Sequence, residues 1–495
     1  MRPGFANIRE YDFVKKYAAY VAGEWVDAGA DGGNAIVDPA SGEEVSQAPA
    51  LTPQHVDAAV GAAQRALAQS DWATDARLRA DVLLQWAGRI ERNVEALARR
   101  LTLENGKLLG EAKFEIANQV NVIRFNAGLA RSLCGHSHSL GARVMGVVLR
   151  EPMGVVAVIS PWNWPISLLV RDLAPALAAG NAVLSKPASQ TAGISIEILS
   201  LLVECEGLPE GVVGMLTGSG GSVGQAIVEH PGVDMLAFTG DGATGKGIAR
   251  DAAATVKKVA LELGGKSPFV LCADADMEKA IATLARFIFF TTCGQICTAP
   301  SRLLVESSVE KEVCERLAQA IDGVKVGPGL DPASQMGAIT TRDQYEKILS
   351  FVELGKKEAT LVAGGEPVAG VDHGKCNFIA PAIFSGVDPQ SPLVQEEIFG
   401  PVLTVQPFAS DDEAVHLANS TPFGLASGVF TQNLDRAWFL SRGIKAGTVW
   451  VNNYNRFYAE TEVGGYKESG VGRMAGFDGL HEFTQTKHIN FDSTE

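Results

Sequence analysis

Residues 154–187 read GVVAVISPWNWPISLLVRDLAPALAAGNAVLSKP. Two apolar runs, GVVAVIS at 154–160 and AVLSKP at 182–187, flank an alanine- and leucine-rich segment of helical character. A strand that is apolar on both faces needs cover on both, and an intervening helix carries the chain back to lay the next strand parallel to the first. The alternation continues through GVVGML (211–216), VDMLAF (233–238), VKKVALEL (256–263) and SPFVLC (267–272). It predicts right-handed βαβ crossovers and a parallel sheet, the α/β class. A second α/β region is expected from about 265, with SRLLVE (301–306), PAIFS (381–385), PVLTVQPF (401–408), SGVFT (427–431) and GTVWVN (447–452) as strands.

Outward from this block the signals are local. Residues 20–37 alternate around Gly and Asp turns and predict a hairpin. Thr52-Pro53 is an N-cap followed by proline at the first helical position, with Val56, Val60 and Ala63 on one face. Leu83, Trp86, Ile90, Val94, Leu97 and Leu101 recur at helical spacing, which predicts one long helix from about 76 to 104. The polar stretch CGHSHSLG at 134–141 is expected to be an exposed loop; His136 and His138 have no carboxylate or further cysteine at ligand spacing, so no metal site is assigned. The tail FTQTKHINF, 483–491, alternates like an edge strand able to extend another subunit's sheet.

With 495 residues, two or three domains are expected. The formal charge of −15 argues against a nucleic-acid backbone or an anionic membrane as partner. Seven scattered cysteines suit reduced thiols in a cytoplasmic compartment. Neither a signal-peptide core at the start nor a membrane-spanning run is legible.

Chemistry concentrates in a few stretches. GDGATG at 240–245 fits GxGxxG between a strand and a helix, a context that suggests a dinucleotide. Glu262, about twenty residues on, stands either as the ribose acceptor of that pattern or as a base in a cavity. GGSVG at 220–224 formally fits the serine-hydrolase elbow around Ser222, although a phosphate-approach loop explains it as well. Asn163 is held between two indoles and two prolines in PWNWP, as an oxyanion donor would be, and Lys186 ends a parallel strand, where ligands of such sheets bind. In residues 287–302, FIFFTTCGQICTAPSR, an apolar run leads through Gly-Gln to Cys297, which is either a core thiol or a mounted nucleophile.

Together PWNWP, SKPASQT (185–191), FTG (238–240), LELGGKSP (261–268), GQIC (294–297), EEIFGP (396–401) and GGYKESGVGR (464–473) resemble the aldehyde dehydrogenase superfamily in order and approximate separation. The resemblance implies a Rossmann-like cofactor domain (1–133 and 152–264), an α/β catalytic domain (265–470) and a small β oligomerisation element (134–151 and 478–495). It further implies Cys297 as nucleophile, Glu262 as the base that hydrolyses the thioester rather than a ribose ligand, and Asn163 as oxyanion donor. NAD or NADP would be held by Ser160, Pro161, Trp162, Lys186, Ser189, Gly220, Gly224, Phe238, Gly240, Asp241, Glu397 and Phe399, in a homodimer or homotetramer.

Departures from the family pattern narrow this. Ser189 replaces a frequent glutamate that would repel a 2′-phosphate, so NADP stands beside NAD. Asp241 adds negative charge near the diphosphate. Met474 replaces a glutamate of a proton path, Thr292 a frequent asparagine, and Val463 a frequent phenylalanine of the substrate tunnel. Arg171 matches a position that binds the carboxylate of semialdehydes in some relatives, without the second arginine those enzymes carry, and an arginine there is also widespread as a structural residue. An acidic semialdehyde and an aromatic or aliphatic aldehyde both remain open. Cys293 in TTCGQIC is either a packing residue or a reversible disulfide partner for Cys297.

Overall fold

In the computed structural model, which describes residues 14–28 and 33–492, Val155–Ile159 lies inside a six-stranded sheet. The order is Val213–Met215, Ala182–Lys186, Val155–Ile159, Met235–Thr239, Lys258–Glu262, Gly470–Val471. The first five strands are parallel and the sixth is antiparallel. Chain order therefore reverses between Val155–Ile159 and Met235–Thr239, which creates the crevice where open α/β sheets take their ligands. Helix Pro165–Ala178 follows the central strand, with Pro165 at N1, where a missing N–H costs nothing. It buries Ile166, Leu169, Val170, Leu173 and Leu177 completely, each contributing about 1.5–3 kcal/mol by leaving water.

The second sheet has seven strands: Thr360–Gly364, Ala382–Ser385, Val402–Phe408, Arg302–Glu306, Pro268–Leu271, Ala426–Phe430 and Thr448–Val451. All run parallel except Thr360–Gly364 at one edge, which the sequence pattern had not indicated. Pro268–Leu271 belongs to this sheet rather than continuing the first series. The change of sheet occurs at Gly264-Gly265. A Cβ on Gly264 would lie 2.0 Å from Glu397 Oε2, and one on Gly265 would lie 2.7 Å from the Cys297 carbonyl, so two side-chain-free residues let the lobes close on each other.

Thr484–Asp492, Val144–Pro152 and His136–Ser139 form a third, antiparallel sheet. The tail strand thus pairs first within its own chain, and its other edge carries no strand among the described residues. His136 and His138 are exposed, as expected, but on a strand rather than in a loop. The long helix expected over 76–104 is two, Ala76–Arg92 and Val94–Asn105, broken at Asn93 while the apolar stripe continues across the break. Helix Pro53–Gln69 starts after Thr52 as expected. Of the hairpin read over 20–37, Ala19–Val21 pairs with Glu24–Val26, whereas Asn34–Val37 pairs with Glu44–Ala48; residues 29–32 lie outside the described residues, as do 1–13 and 493–495 of the outer segments. No helix among the described residues is long and apolar enough to cross a membrane.

Candidate active site

The central strand of the first sheet ends at Ile159, and the chain then turns through Ser160, Pro161, Trp162 and Asn163 into the Pro165 helix. Both carbonyls of this turn are tied from behind by buried polar groups. Asn105 Nδ2 donates to the Trp162 carbonyl at 2.7 Å, and Lys107 Nζ donates to the Asn163 carbonyl at 2.9 Å. Lys107 is paired with Glu115 at 2.5 Å and lies 4.0 Å from the centre of the Trp164 ring, while Glu115 Oε1 accepts the Ile166 and Ser167 N–H groups at 2.9 and 3.0 Å. Glu115 thereby satisfies donors that the first turn of that helix leaves open. The Asn163 side chain is 3% exposed and donates through Nδ2 to the Gln295 carbonyl at 2.9 Å. Its second amide hydrogen remains for a ligand.

Cys297 is presented by an irregular loop rather than a regular strand end. Thr292, Cys293 and Gly294 have φ of +46°, +53° and +71°, three consecutive residues in the left-handed region. Such backbone costs free energy and persists where its surroundings hold it. Glu111 Oε1 accepts the Thr292 N–H at 2.7 Å, and the Gln295 side chain spans the Thr292 carbonyl and the Thr340 N–H, each at 3.0 Å. The corner delivers Cys297 to a cavity of about 220 Å³ whose walls also include Asn163, Glu262, Arg171, Thr298 and Val463. Burial, then the nearby Glu262 and Glu397 charges, push the Cys297 thiol up to about 12; Arg171 and the Thr298 N–H favour the thiolate. Cys293 points elsewhere. It packs with Met336, Ile339 and Tyr345, its Sγ donates to the Gly337 carbonyl at 3.3 Å, and it is absent from the cavity wall.

Glu262 closes its strand at the same crevice, 5% exposed, with Oε1 buried and unpartnered. Burial raises its carboxyl to about 7 against the pull of Arg171, with Asp172 adding to the rise and the Gly465 N–H and Arg473 opposing it. Arg171 does line the cavity, but its fork is committed. Nε and one terminal nitrogen hold Asp172 at 2.9 and 3.2 Å, that nitrogen also donates to Thr239 Oγ1 at 2.6 Å, and the other lies 3.7 Å from Glu262 Oε2. Of the two roles open to Arg171, a clamp for a substrate carboxylate and a structural residue, the hydrogen bonds to Asp172 and Thr239 suit the structural one. Val463 lines the cavity, and its backbone exchanges two 2.8 Å hydrogen bonds with Met474, whose side chain is buried in the core.

The cofactor candidates gather at the carboxyl ends of the first sheet and on the facing loop of the second. Lys186 is 5% exposed, reaches the Pro187 carbonyl at 3.4 Å, and is lowered to about 8 by burial; Ser160 Oγ is buried without a partner. Ser189 donates to the Gly218 carbonyl at 3.2 Å. Gly220 has open space where a Cβ would stand, whereas one on Gly224 would lie 3.4 Å from Lys186 Cε and one on Gly240 would lie 2.5 Å from the Phe238 ring. Asp241 caps its own helix by accepting the Thr244 N–H at 3.0 Å, so a carboxylate sits where that helix would otherwise offer donors to an anion. Across the crevice, Glu397 Oε1 accepts the Gly265 N–H at 3.1 Å, burial raises its carboxyl to about 7, and Phe399, at φ +59°, packs edge-on against Trp162 at 5.5 Å. Under-satisfied donors and open glycine backbone on one side, with a carboxylate acceptor on the other, fit a dinucleotide. Ser222 lies on the exposed Gly220–Gly224 turn and is not part of the cavity wall.

Sequence reasoning passed over Asn105, Lys107, Glu111, Glu115, Gln295 and Thr340, which hold the Asn163 turn and the Cys297 corner. One signal was available. Glu115, Gln119 and Asn126 fall on the buried face of helix Leu109–Ala130, where polar residues require partners.

The aldehyde dehydrogenase family model matches residues 25–489. The chain is 36% identical over 473 residues to the betaine aldehyde dehydrogenase of Bacillus subtilis, spanning 95% of this chain and 96% of that protein. It is 38% identical over 497 residues to a mitochondrial aldehyde dehydrogenase of Leishmania tarentolae, spanning 100% and 97%. The crystal structure of a Staphylococcus aureus betaine aldehyde dehydrogenase in complex with NAD+ superposes with a TM-score of 0.94 at 34% identity, covering 97% of this chain and 95% of that one. An NAD-dependent aldehyde dehydrogenase of Sinorhizobium meliloti superposes with a TM-score of 0.95 at 36% identity, covering 99% and 97%. With likeness in sequence and in backbone both running over nearly the whole length, the chain belongs to the aldehyde dehydrogenase family.

Proposed function

We propose that this protein oxidises an aldehyde to its carboxylic acid with NAD or NADP, through a covalent adduct on Cys297 that is hydrolysed with Glu262 as base. The observation that carries the reading is the convergence of Cys297, Glu262 and Asn163 on one 220 Å³ cavity between the ends of the two large sheets. The Cys297 thiolate adds to the carbonyl carbon, and the oxygen takes up the charge beside the free Asn163 amide hydrogen and the Cys297 N–H. A fixed donor of that kind is worth about 10²–10³ in kcat. A bound nicotinamide cofactor would accept the hydride lost from that carbon. The resulting thioester is attacked by water. Glu262 takes the water's proton as the new C–O bond forms, and the C–S bond breaks to release acid and thiolate. A carboxyl raised to about 7 is a far better proton acceptor at neutral pH than an ordinary glutamate.

Lys186 and Ser189 would meet the adenosine ribose, the 220–224 turn the phosphates, and Glu397 the nicotinamide ribose. Structures of relatives solved with NAD+ favour NAD, while Ser189 leaves room for a 2′-phosphate. The cofactor domain would comprise the described parts of 1–133 and 152–264, its sheet borrowing the edge strand Gly470–Val471 from the end of a catalytic domain at 265–470, with 134–151 and the described part of 478–495 as the assembly element of a homodimer or homotetramer. Because the Arg171 fork is occupied and Trp164, Phe457 and Tyr458 line the cavity, an aromatic or aliphatic aldehyde suits it better than an acidic semialdehyde.

The test is reduced-cofactor formation from propanal, benzaldehyde and succinic semialdehyde with each cofactor. Cys297→Ala should abolish it, and Glu262→Gln should give one stoichiometric burst with little turnover. Wild type and Cys297→Ala equally inactive in every combination would overturn the reading.

A further inference from the structure

Arg171 and Asp172 are adjacent on a helix, where neighbouring side chains normally diverge. Here the guanidinium folds back to hold its neighbour's carboxylate through two nitrogens, and the pair is buried, with side chains 14% and 2% exposed. Burying two charges is costly unless each remaining donor finds work. One of those two nitrogens also donates to Thr239 Oγ1 at 2.6 Å, and the remaining terminal nitrogen, the free end of the fork, faces Glu262 Oε2 at 3.7 Å, so the fork reaches the ends of two strands. The other groups acting on Glu262 are the Gly465 N–H, Arg473 and Cys297. Met474, packed in the core, brings no charge to this neighbourhood.

We propose that Asp172 and Arg171 form a positioning pair for Glu262: Arg171 steadies the ionised carboxylate toward the cavity, and Asp172 limits how strongly it does so by holding most of the fork. The proposal rests on Glu262 being the hydrolytic base. The two charges act in opposite directions. Removing Arg171 takes away a cation that favours the charged base, so the pH at which hydrolysis switches on must rise. Removing the Asp172 charge takes away an anion and frees the fork for Glu262, so that pH must fall. A pair with a purely structural role would move both variants together or neither.

The measurement uses 4-nitrophenyl acetate, which transfers its acetyl group to Cys297 with release of nitrophenolate and needs no cofactor. The burst reports acylation, and the slower rate after it reports thioester hydrolysis, followed from pH 5 to 9 beside the melting temperature of each variant. Arg171→Gln should shift the acidic limb of the post-burst rate upward by about one unit or more, and Asp172→Asn should shift it downward. Arg171→Lys, which keeps the charge, should return the limb toward wild type even where stability is reduced. Limbs that coincide with wild type in Arg171→Gln and Asp172→Asn would overturn the proposal, as would shifts of the same sign. An effect of Arg171→Gln confined to KM for succinic semialdehyde would restore the substrate-clamp role in its place. Glu262→Gln separates the two levels: an unchanged post-burst rate in that variant refutes the base itself, whereas its loss with unmoved limbs elsewhere refutes the pair alone.

Discussion

The two sheets present their chemistry in different ways. The first delivers Glu262 and Lys186 as the last residues of regular strands, so each position follows from the register of a ladder whose strands are buried on both faces. The second delivers Cys297 from a loop with three left-handed residues, held by the Glu111 carboxylate on one side and by the Gln295 side chain, which reaches the Thr340 N–H, on the other; the Asn105–Lys107 stretch beside Glu111 ties the Asn163 turn that faces it. The base is placed by regular secondary structure and the nucleophile by tertiary packing of buried polar groups. Damage to that polar scaffold should therefore reach the cysteine and the oxyanion donor before it reaches the base.

Lys107→Met breaks the contrast most severely. It removes one partner of a fully buried pair and leaves Glu115 charged beneath the helix that begins at Pro165. Breaking such a pair costs about 3–5 kcal/mol, so denaturant unfolding should show a loss of that size. The acylation burst should fall as the Asn163 turn loosens, while the acidic limb of hydrolysis stays in place. A stability loss below about 1 kcal/mol would mean that the turn is held by its prolines and indoles alone.

This division also explains what was legible in the sequence. Glu262, Asn163 and Lys186 could be placed because apolar runs announce strands, and the residue after a run is the residue at the sheet's end. Lys107 and Glu115 could not, since charges in an amphipathic pattern read as a solvated face, and their partners lie 51 to 56 positions away. Arg171 could be placed on the helix after Asn163 but its partner could not: one dimension gives no sign that its fork folds back on Asp172. The change of sheet at Gly264-Gly265 was blurred for a related reason, because Pro268–Leu271 has the same apolar text as the strands before it.

Gly294→Ala sharpens the contrast at the corner itself. Its φ is +71°, and an added Cβ would stand 2.5 Å from the Ile288 carbonyl oxygen and 2.6 Å from that of Gly400, both backbone atoms that cannot swing aside. Strain of this kind costs about 1–3 kcal/mol. The melting temperature and the acylation burst should both fall, with the hydrolytic limb again unmoved. Wild-type burst kinetics would show that Cys297 is positioned independently of the corner.

The smallest effect is expected at Cys293, where nucleophile and neighbour part company. A disulfide needs the two Cα atoms within about 7 Å and Cβ vectors that converge. Cys293 is instead held in the left-handed region, with its sulfur on the Gly337 carbonyl among Met336, Ile339 and Tyr345, away from the cavity that Cys297 lines. Burial holds its thiol well above the usual range, so little thiolate exists to attack an oxidised partner. Cys293→Ser keeps a donor for Gly337 and should cost no more than about 1 kcal/mol. Peroxide should inactivate it at the wild-type rate, with the same fraction recovered by dithiothreitol. A several-fold faster irreversible loss in that variant would show that Cys293 shields Cys297, and would require the left-handed corner to open on the timescale of oxidation, making the cysteine loop mobile as well as irregular.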